Sequence, residues 1–356
     1  MTEKPLEGLS LAMLSPKDKT WQVHKALNCS VSQLLHKTKY ETQSQRMAHC
    51  GCFLAFQRRQ HIHTGELKLK LKSLHTCKVR ICSICSWAKS RVWKTRLNDG
   101  LPKLLKLHPT ARAILLTLTV ENCPVTSLRQ TLDMMQKGFA RFMDSRSLKK
   151  YVVGYIRTME VTRVFDWYDA RGKFLGRHGM TWFTRHKLET KTTWKAKPTN
   201  ECHPHYHVLL VVKPSYFSHG YKSQQEYIDL WEKSAKLNYK PVVDIRTIKP
   251  NPKIPDDKSG LISAIKEVAK YCVKHSDVIY DQAYLVELIT QLNATKHVVL
   301  GGLLKEIVNC KEPTEDDIMK ASSELDDDNE WLDLDIIFFH WHDHKKDYLT
   351  YASNSV

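Results

Sequence analysis

The stretch Cys202-His203-Pro204-His205-Tyr206-His207-Val208-Leu209-Leu210-Val211-Val212 reads as a buried strand with reactive groups at its head. Val208 to Val212 is an unbroken apolar run rich in β-branched residues, the pattern of a central strand. Alternate side chains of a strand share a face, so His205 and His207 point together while Tyr206 points into the opposite layer. Two imidazoles on one face can share a metal ion.

A His-x-His triplet is weak on its own, because a chain with 18 histidines in 356 residues holds about one by chance. His61-Ile62-His63 and His340-Trp341-His342 are rivals, but only His205/His207 opens a run that can be a central strand. It is also the pair followed at domain-scale distance by Leu261 to Lys274, where Leu261, Ile265, Val268, Ala269 and Cys272 form an apolar helical stripe. Opposite that stripe lie Glu267, Tyr271 and Lys274, at i, i+4 and i+7. An acid, a phenol and an ammonium on one helix face suit phosphate-ester chemistry beside a metal. The third metal ligand should be an acid on a neighbouring strand, since two imidazoles and a carboxylate leave room on Mn²⁺ or Mg²⁺ for phosphate oxygens. Glu160, an isolated acid in the β-rich run Gly154 to Thr162, is the best candidate.

Strands are expected at Ala113 to Val120, Val152 to Phe165, Met180 to His186 and Val242 to Ile248, and helices at Ser127 to Asp144 and Gln224 to Lys236. Asp169 to Gly172 carries turn signals. The order implies an α+β fold, an antiparallel sheet with helices on one face in an elaborated ferredoxin-like layout, the other face being open to DNA and metal. Asp281 to Val308 reads as helices broken at Gly301-Gly302.

Upstream the cysteines cluster at Cys50, Cys52, Cys77, Cys82 and Cys85. A Cys-x2-Cys knuckle with a third cysteine five residues before it, and a fourth upstream, has the thiolate supply for a tetrahedral zinc module. Arg80, Trp87, Lys89, Arg91 and Lys94 around and after the knuckle interleave bases and an aromatic, the composition of a DNA-contacting helix.

The net charge is +17 and uneven: Arg46 to Leu97 holds twelve Lys/Arg against the one acid Glu66, whereas Glu312 to Asp335 holds eleven acids against the one base Lys320. The surplus favours a polyanionic partner with salt-dependent binding, and the acidic segment reads as a mobile tail that discourages non-specific DNA contact. No signal peptide or membrane-length apolar run is visible, which predicts a cytoplasmic protein, and cysteines there point to metal more than to disulfides. No Gly-x4-Gly-Lys-Ser/Thr phosphate-binding loop is visible in the sequence.

The two stretches together resemble the HUH endonucleases, most closely the replication initiators of bacterial rolling-circle plasmids, over about Arg46 to Val308. Arg46 to Cys50 matches their Arg-Met-x-x-Cys, and Cys77 to Trp87 their Cys-x4-Cys-x2-Cys-x-Trp run. The resemblance implies zinc on Cys50, Cys77, Cys82 and Cys85, with Cys52, His49 and His75 open as substitutes. It implies catalytic Mn²⁺ or Mg²⁺ on His205, His207 and Glu160, and attack by Tyr271 on single-stranded plasmid origin DNA to give a 5′-phosphotyrosine. Lys274 or the metal would favour the phenolate, and Glu267 would activate the water that ends the cycle. Partners on this reading are origin DNA, host helicase and DNA polymerase, with a homodimer left open and no membrane. A transposase or relaxase of the same superfamily, or an inactive sequence-specific repressor, are the alternatives. The segments expected are a polar N-terminal 1–45 with one helix near Trp21 to His36, a Cys-rich module 46–97, a nicking domain 98–280, C-terminal helices 281–311 and the acidic tail 312–356.

Overall fold

The computed structural model describes residues 8–179, 195–249, 264–265, 268–269, 279–322 and 330–351. In chain order the elements begin with α1 (Leu11–Leu14), α2 (Lys19–Leu35), α3 (Glu41–His49), β1 (Phe53–His61), β2 (Leu67–Leu74), α4 (Ser83–Leu107), β3 (Arg112–Thr119) and β4 (Cys123–Pro124). They continue with α5 (Leu128–Asp144), α6 (Arg146–Lys149), β5 (Val152–Tyr168), β6 (Phe174–Gly179), β7 (Lys195–Val212), α7 (Gln224–Ala235) and β8 (Val243–Thr247). Last come α8 (Gln282–Leu292), β9 (Val298–Gly302), α9 (Leu303–Ile307), α10 (Glu315–Ser322), β10 (Trp331–His342) and β11 (Asp347–Thr350). The fold is α+β, and every strand pairing within its two sheets is antiparallel. Two compact units result, one of Met1–Thr95 with Glu312–Val356 and one of Arg96–Lys311. Among the described residues no helix is long and apolar enough to cross a membrane.

In the second unit the apolar half of β7 lies between β5 and β3, in the order β6-β5-β7-β3-β8, with β4 on β7 and β9 on β5. Val208 to Val212 are all at most 1% exposed, as a central strand requires. One face of this sheet receives α5 and α7. Leu128, Leu132, Met135, Phe139 and Phe142 of α5 recur at helical spacing and are buried, and Phe139 meets Tyr206 edge-on at 5.8 Å. Tyr206 therefore points into the helical layer, as the alternation of β7 requires. The two helices approach closely because Gly138 has no side chain: a Cβ there would sit 2.7 Å from Ala235 Cα. α7 starts with a Ser223/Glu226 capping box and ends on Lys236 at φ 58°, and its Trp231 indole donates to Thr119 O at 2.8 Å.

Two sequence expectations need correction. Gly301-Gly302 does not break a helix: it ends β9, paired with β5, where Gly302 has φ +59° and a Cβ would meet Val153 O at 2.4 Å. Glycine is needed there for both reasons, so the pair marks a crowded strand end. The supposed mobile tail instead supplies α10, β10 and β11. Its apolar residues Ile337, Phe339 and Trp341 alternate, are at most 7% exposed, and fill one face of a sheet ordered β11-β10-β1-β2. The helix expected near Trp21 to His36 is α2, joined among residues 8–45 by α1 and the start of α3, with Trp21, Val31 and Leu35 fully buried in the first unit. The expected strand Met180 to His186 lies outside the described residues. Of the stripe expected around Tyr271, Ile265 and Val268 are helical and buried, Ala269 is a half-buried turn residue, and Leu261 and Cys272 lie outside the described residues.

Candidate metal centres

Register brings the first centre together. On β5 and β7, Glu160 faces His205 and Thr158 faces His207, and on the other edge of β7 Thr119 faces His205 and Thr117 faces His207. Residues opposite each other in antiparallel strands share a face, so one carboxylate and two imidazoles converge. Glu160 Oε2 lies 3.1 Å from His207 Nε2 and 3.3 Å from His205 Nε2. Their side chains are only 6%, 8% and 12% exposed.

The other ring nitrogens are held. His207 Nδ1 lies 3.3 Å from Thr117 Oγ1 and His205 Nδ1 3.3 Å from His203 O. A proton on each Nδ1 donated to these oxygens leaves both Nε2 lone pairs aimed at the shared point, the arrangement in which outer hydrogen bonds fix metal-ligating histidines. Burial works against charge on Glu160, but hydrogen bonds and attraction from the two histidines, which act when Nε2 carries a proton that a metal ion would displace, outweigh it and hold the carboxyl well below the ordinary range. A buried carboxylate that stays ionised beside two imidazoles suits a divalent cation. His203 continues the same face, its ring 5.3 Å from that of His205 and tilted by 32°, with its Nδ1 2.9 Å from Asn122 Oδ1. Burial, then His205, lower its pKa to about 4.

The second centre lies in the first unit. Cys50, Cys77, Cys82 and Cys85 are all buried, with Sγ atoms 3.5 Å apart for Cys82–Cys50 and 3.6 Å for Cys50–Cys85 and Cys77–Cys85. Zinc–sulfur bonds of about 2.3 Å at the tetrahedral angle put sulfurs roughly 3.8 Å apart, so the four atoms are nearly at zinc spacing. The amides of Cys77 and Cys85 donate to Cys50 Sγ and Cys82 Sγ, both at 3.4 Å, which stabilises thiolates. Hydrogen bonds from Cys50, Cys77 and Cys82 hold Cys85 far below a free thiol, whereas burial pushes Cys82 up. Cys52 is apart, its Sγ 3.1 Å from the amine of Lys25 and 3.1 Å from Ala48 O. Lys25 is completely buried and also donates to Ala48 O and Cys50 O.

These are the two groups of three or more potential ligands that converge within 4.8 Å among the described residues. His61 is instead paired with Glu330, while His340 and His342 have ring centres 5.5 Å apart. Neither His49 nor His75 belongs to the thiol group. Glu267, Tyr271 and Lys274 lie outside the described residues.

The basic helix is more engaged than its composition suggests. Trp87 packs edge-on against Trp21 at 4.6 Å and stacks on His24 at 4.9 Å, so this half-buried ring is partly taken up by packing within the first unit. Lys89 pairs with Glu312, and Arg91 lies over the Trp87 ring at 5.1 Å while donating to Ala321 O. Lys94 is half-buried, and Arg80 accepts a hydrogen bond from Ser86 through its carbonyl. Sequence reasoning missed Thr117, His203, Asn122 and Lys25. For Thr117 the period of two in Leu115-Thr117-Thr119 was the available signal; Lys25 had none.

A family model described as "Replication protein" matches residues 68–349. A "Protein rep" of Streptococcus pneumoniae serotype 2 (strain D39 / NCTC 7466) is 31% identical over 296 residues, covering 82% of this chain and 79% of its own. A "Protein rep" of Lentilactobacillus hilgardii is 27% identical over 94% of both chains. A Staphylococcus aureus "Replication protein" is 32% identical over 69% of this chain and 93% of its own. No solved structure matches.

Proposed function

Since the chain belongs to the replication protein family, that of the plasmid replication initiators, we propose that it starts rolling-circle copying by nicking and rejoining single-stranded origin DNA in the bacterial cytoplasm. The observation that carries this reading is the buried Glu160 carboxylate held between the Nε2 atoms of His205 and His207. On this reading the second unit has an HUH nicking fold, and the cysteine group is a structural zinc module.

Glu160, His205 and His207 would hold Mn²⁺ or Mg²⁺, which supplies Lewis-acid polarisation of a phosphate oxygen. Thr117 and the His203 carbonyl keep the two imidazoles in the tautomer that presents Nε2. Tyr271 is the proposed nucleophile. Its phenolic oxygen bonds to phosphorus as the P–O3′ bond breaks, giving a 5′-phosphotyrosine and a free 3′-hydroxyl that a host polymerase can extend. Lys274, three residues beyond in the sequence, is proposed to favour the phenolate. Bond energy is kept in the covalent link, so rejoining needs no ATP, and a host helicase would open the duplex.

A single tyrosine is occupied when the second cleavage falls due. Glu267, four residues before it in the sequence, is the proposed base that activates water and ends the cycle by hydrolysis. The test is a gel assay with origin single strands and Mn²⁺. Cleaved and rejoined strands that disappear with chelator support the enzyme, whereas binding without any cleavage supports the repressor alternative.

A further inference from the structure

The four-stranded sheet of the first unit has an outer face that is open at one end: Ala55, Gln57 and Arg59 on it are buried, whereas Phe53 and Ile336 are exposed. Its inner face is packed, with Leu54, Phe56 and Phe339 at most 1% exposed. On the outer face the register sets Phe53 opposite His340, Ala55 opposite Phe338 and Gln57 opposite both Ile336 and Lys70. Tyr351 adjoins this ladder, its amide donating to Phe338 O at 3.4 Å. Phe53 lies 4.5 Å from the His340 ring at 32° and 6.3 Å from Tyr351, which lies 6.1 Å from Phe338. Two of these rings stay largely in water, Phe53 at 57% and Tyr351 at 41% exposed, while Phe338 and His340 are half-buried. A contiguous apolar patch of this kind on a soluble surface marks an interaction site.

The neighbouring charges say what fits. Lys68 and Lys70 alternate along β2, so both project to the aromatic face, and Lys68 already lies 4.3 Å over the Trp331 ring. Flat rings on an open sheet beside a lysine row match unpaired bases with their phosphates, since every base offers a π-face and each phosphate a charge. A second copy of the chain fits less well, because lysine is depleted from the cores of protein interfaces. We propose that this face binds single-stranded DNA, with bases stacked on Phe53, Phe338 and Tyr351 and phosphates drawn to Lys68 and Lys70. The inference rests on the DNA-processing reading above and adds a second place where the strand is held. Phe53 and Tyr351 lie outside the residues the family model matches, 68–349.

The test is fluorescence anisotropy with the full chain and a labelled single-stranded oligonucleotide of mixed sequence, in chelator-free buffer without added divalent metal. Because binding alone is read, the result stands even for a protein that never nicks. Phe53→Ala with Tyr351→Ala should weaken single-strand binding about ten- to hundredfold and binding to the same sequence as duplex less than threefold. Phe53→Leu, which keeps the apolar surface without the ring, should lose about three- to tenfold. Single-strand affinity equal to wild type in the double variant would overturn the proposal. So would a wild-type dimer that the double variant turns into a monomer with unchanged single-strand affinity, which assigns the face to a second copy.

Discussion

Replacing Cys82 by alanine removes one corner of the thiol group while leaving the helix start at Ser83 in place. Cys50 Sγ lies 3.5 Å from Cys82 Sγ and 3.6 Å from Cys85 Sγ, and Cys77 Sγ lies 3.6 Å from Cys85 Sγ, close to what a tetrahedral zinc site needs. Structural zinc is bound with apparent free energies of about 10–16 kcal/mol in small modules. Even the part that acts by mass action, with free zinc a thousandfold above its Kd, stabilises the folded state by about 4 kcal/mol. For a unit of about 140 residues, each kcal/mol moves Tm by roughly 3–5 °C, so losing zinc should lower it by roughly 12–20 °C. The assay is elemental analysis of protein purified without chelator, followed by thermal unfolding and hydrogen exchange. Wild type should carry one zinc, and Cys82→Ala or chelated wild type should lose exchange protection at the Cys77 and Cys85 amides. Protection on β5 and β7 should survive. Wild type without zinc, or Cys82→Ala that melts and exchanges like wild type, refutes the reasoning.

His205→Ala or His207→Ala should abolish Mn²⁺-dependent cleavage while circular dichroism stays unchanged. Thr117→Val, which removes the oxygen beside His207 Nδ1, should weaken Mn²⁺ binding about tenfold by calorimetry. Glu267→Ala should form the covalent adduct at the normal rate yet accumulate longer-than-unit-length single strands in a two-origin plasmid assay; normal termination would leave it a structural role. His24, whose pKa burial lowers to about 4, should make stability fall with pH. Between pH about 6.5 and 4 the unfolded chain takes up a proton that the folded one refuses, so the stability is full above that window and declines through it by up to roughly 3 kcal/mol. The slope of urea midpoints against pH should flatten in His24→Gln, and an unchanged slope counts against it.

The His205/His207 strand was legible because a period of two and an unbroken apolar tail are local signals, and Glu160 because it is a lone acid in a β-rich run. Their meeting at 3.1–3.3 Å was not legible, since it depends on a register between residues 47 apart. The C-terminal strands were hidden by composition: eleven acids between Glu312 and Asp335 masked the alternation of Ile337, Phe339 and Trp341 just beyond. Their partner β1 lies more than 270 residues earlier, as in the Gln57–Asp335 hydrogen bond, and no local pattern announces such a pairing. Part of that acidity is spent on neighbours, Asp333 and Asp335 binding Arg59 and Arg58 at 2.8 and 2.7 Å. Gly301-Gly302 was misread because close backbone approach and a helix break call for the same residue.

The central claim is a covalent tyrosine intermediate, and mass spectrometry of the protein after incubation with origin single strands and Mn²⁺ tests it most directly. The account predicts one phosphotyrosine-linked oligonucleotide, on the tryptic peptide bearing Tyr271, absent without metal and absent in Tyr271→Phe. Cleavage with no adduct, an adduct on Tyr280, or nicking by Tyr271→Phe at the wild-type rate would contradict it.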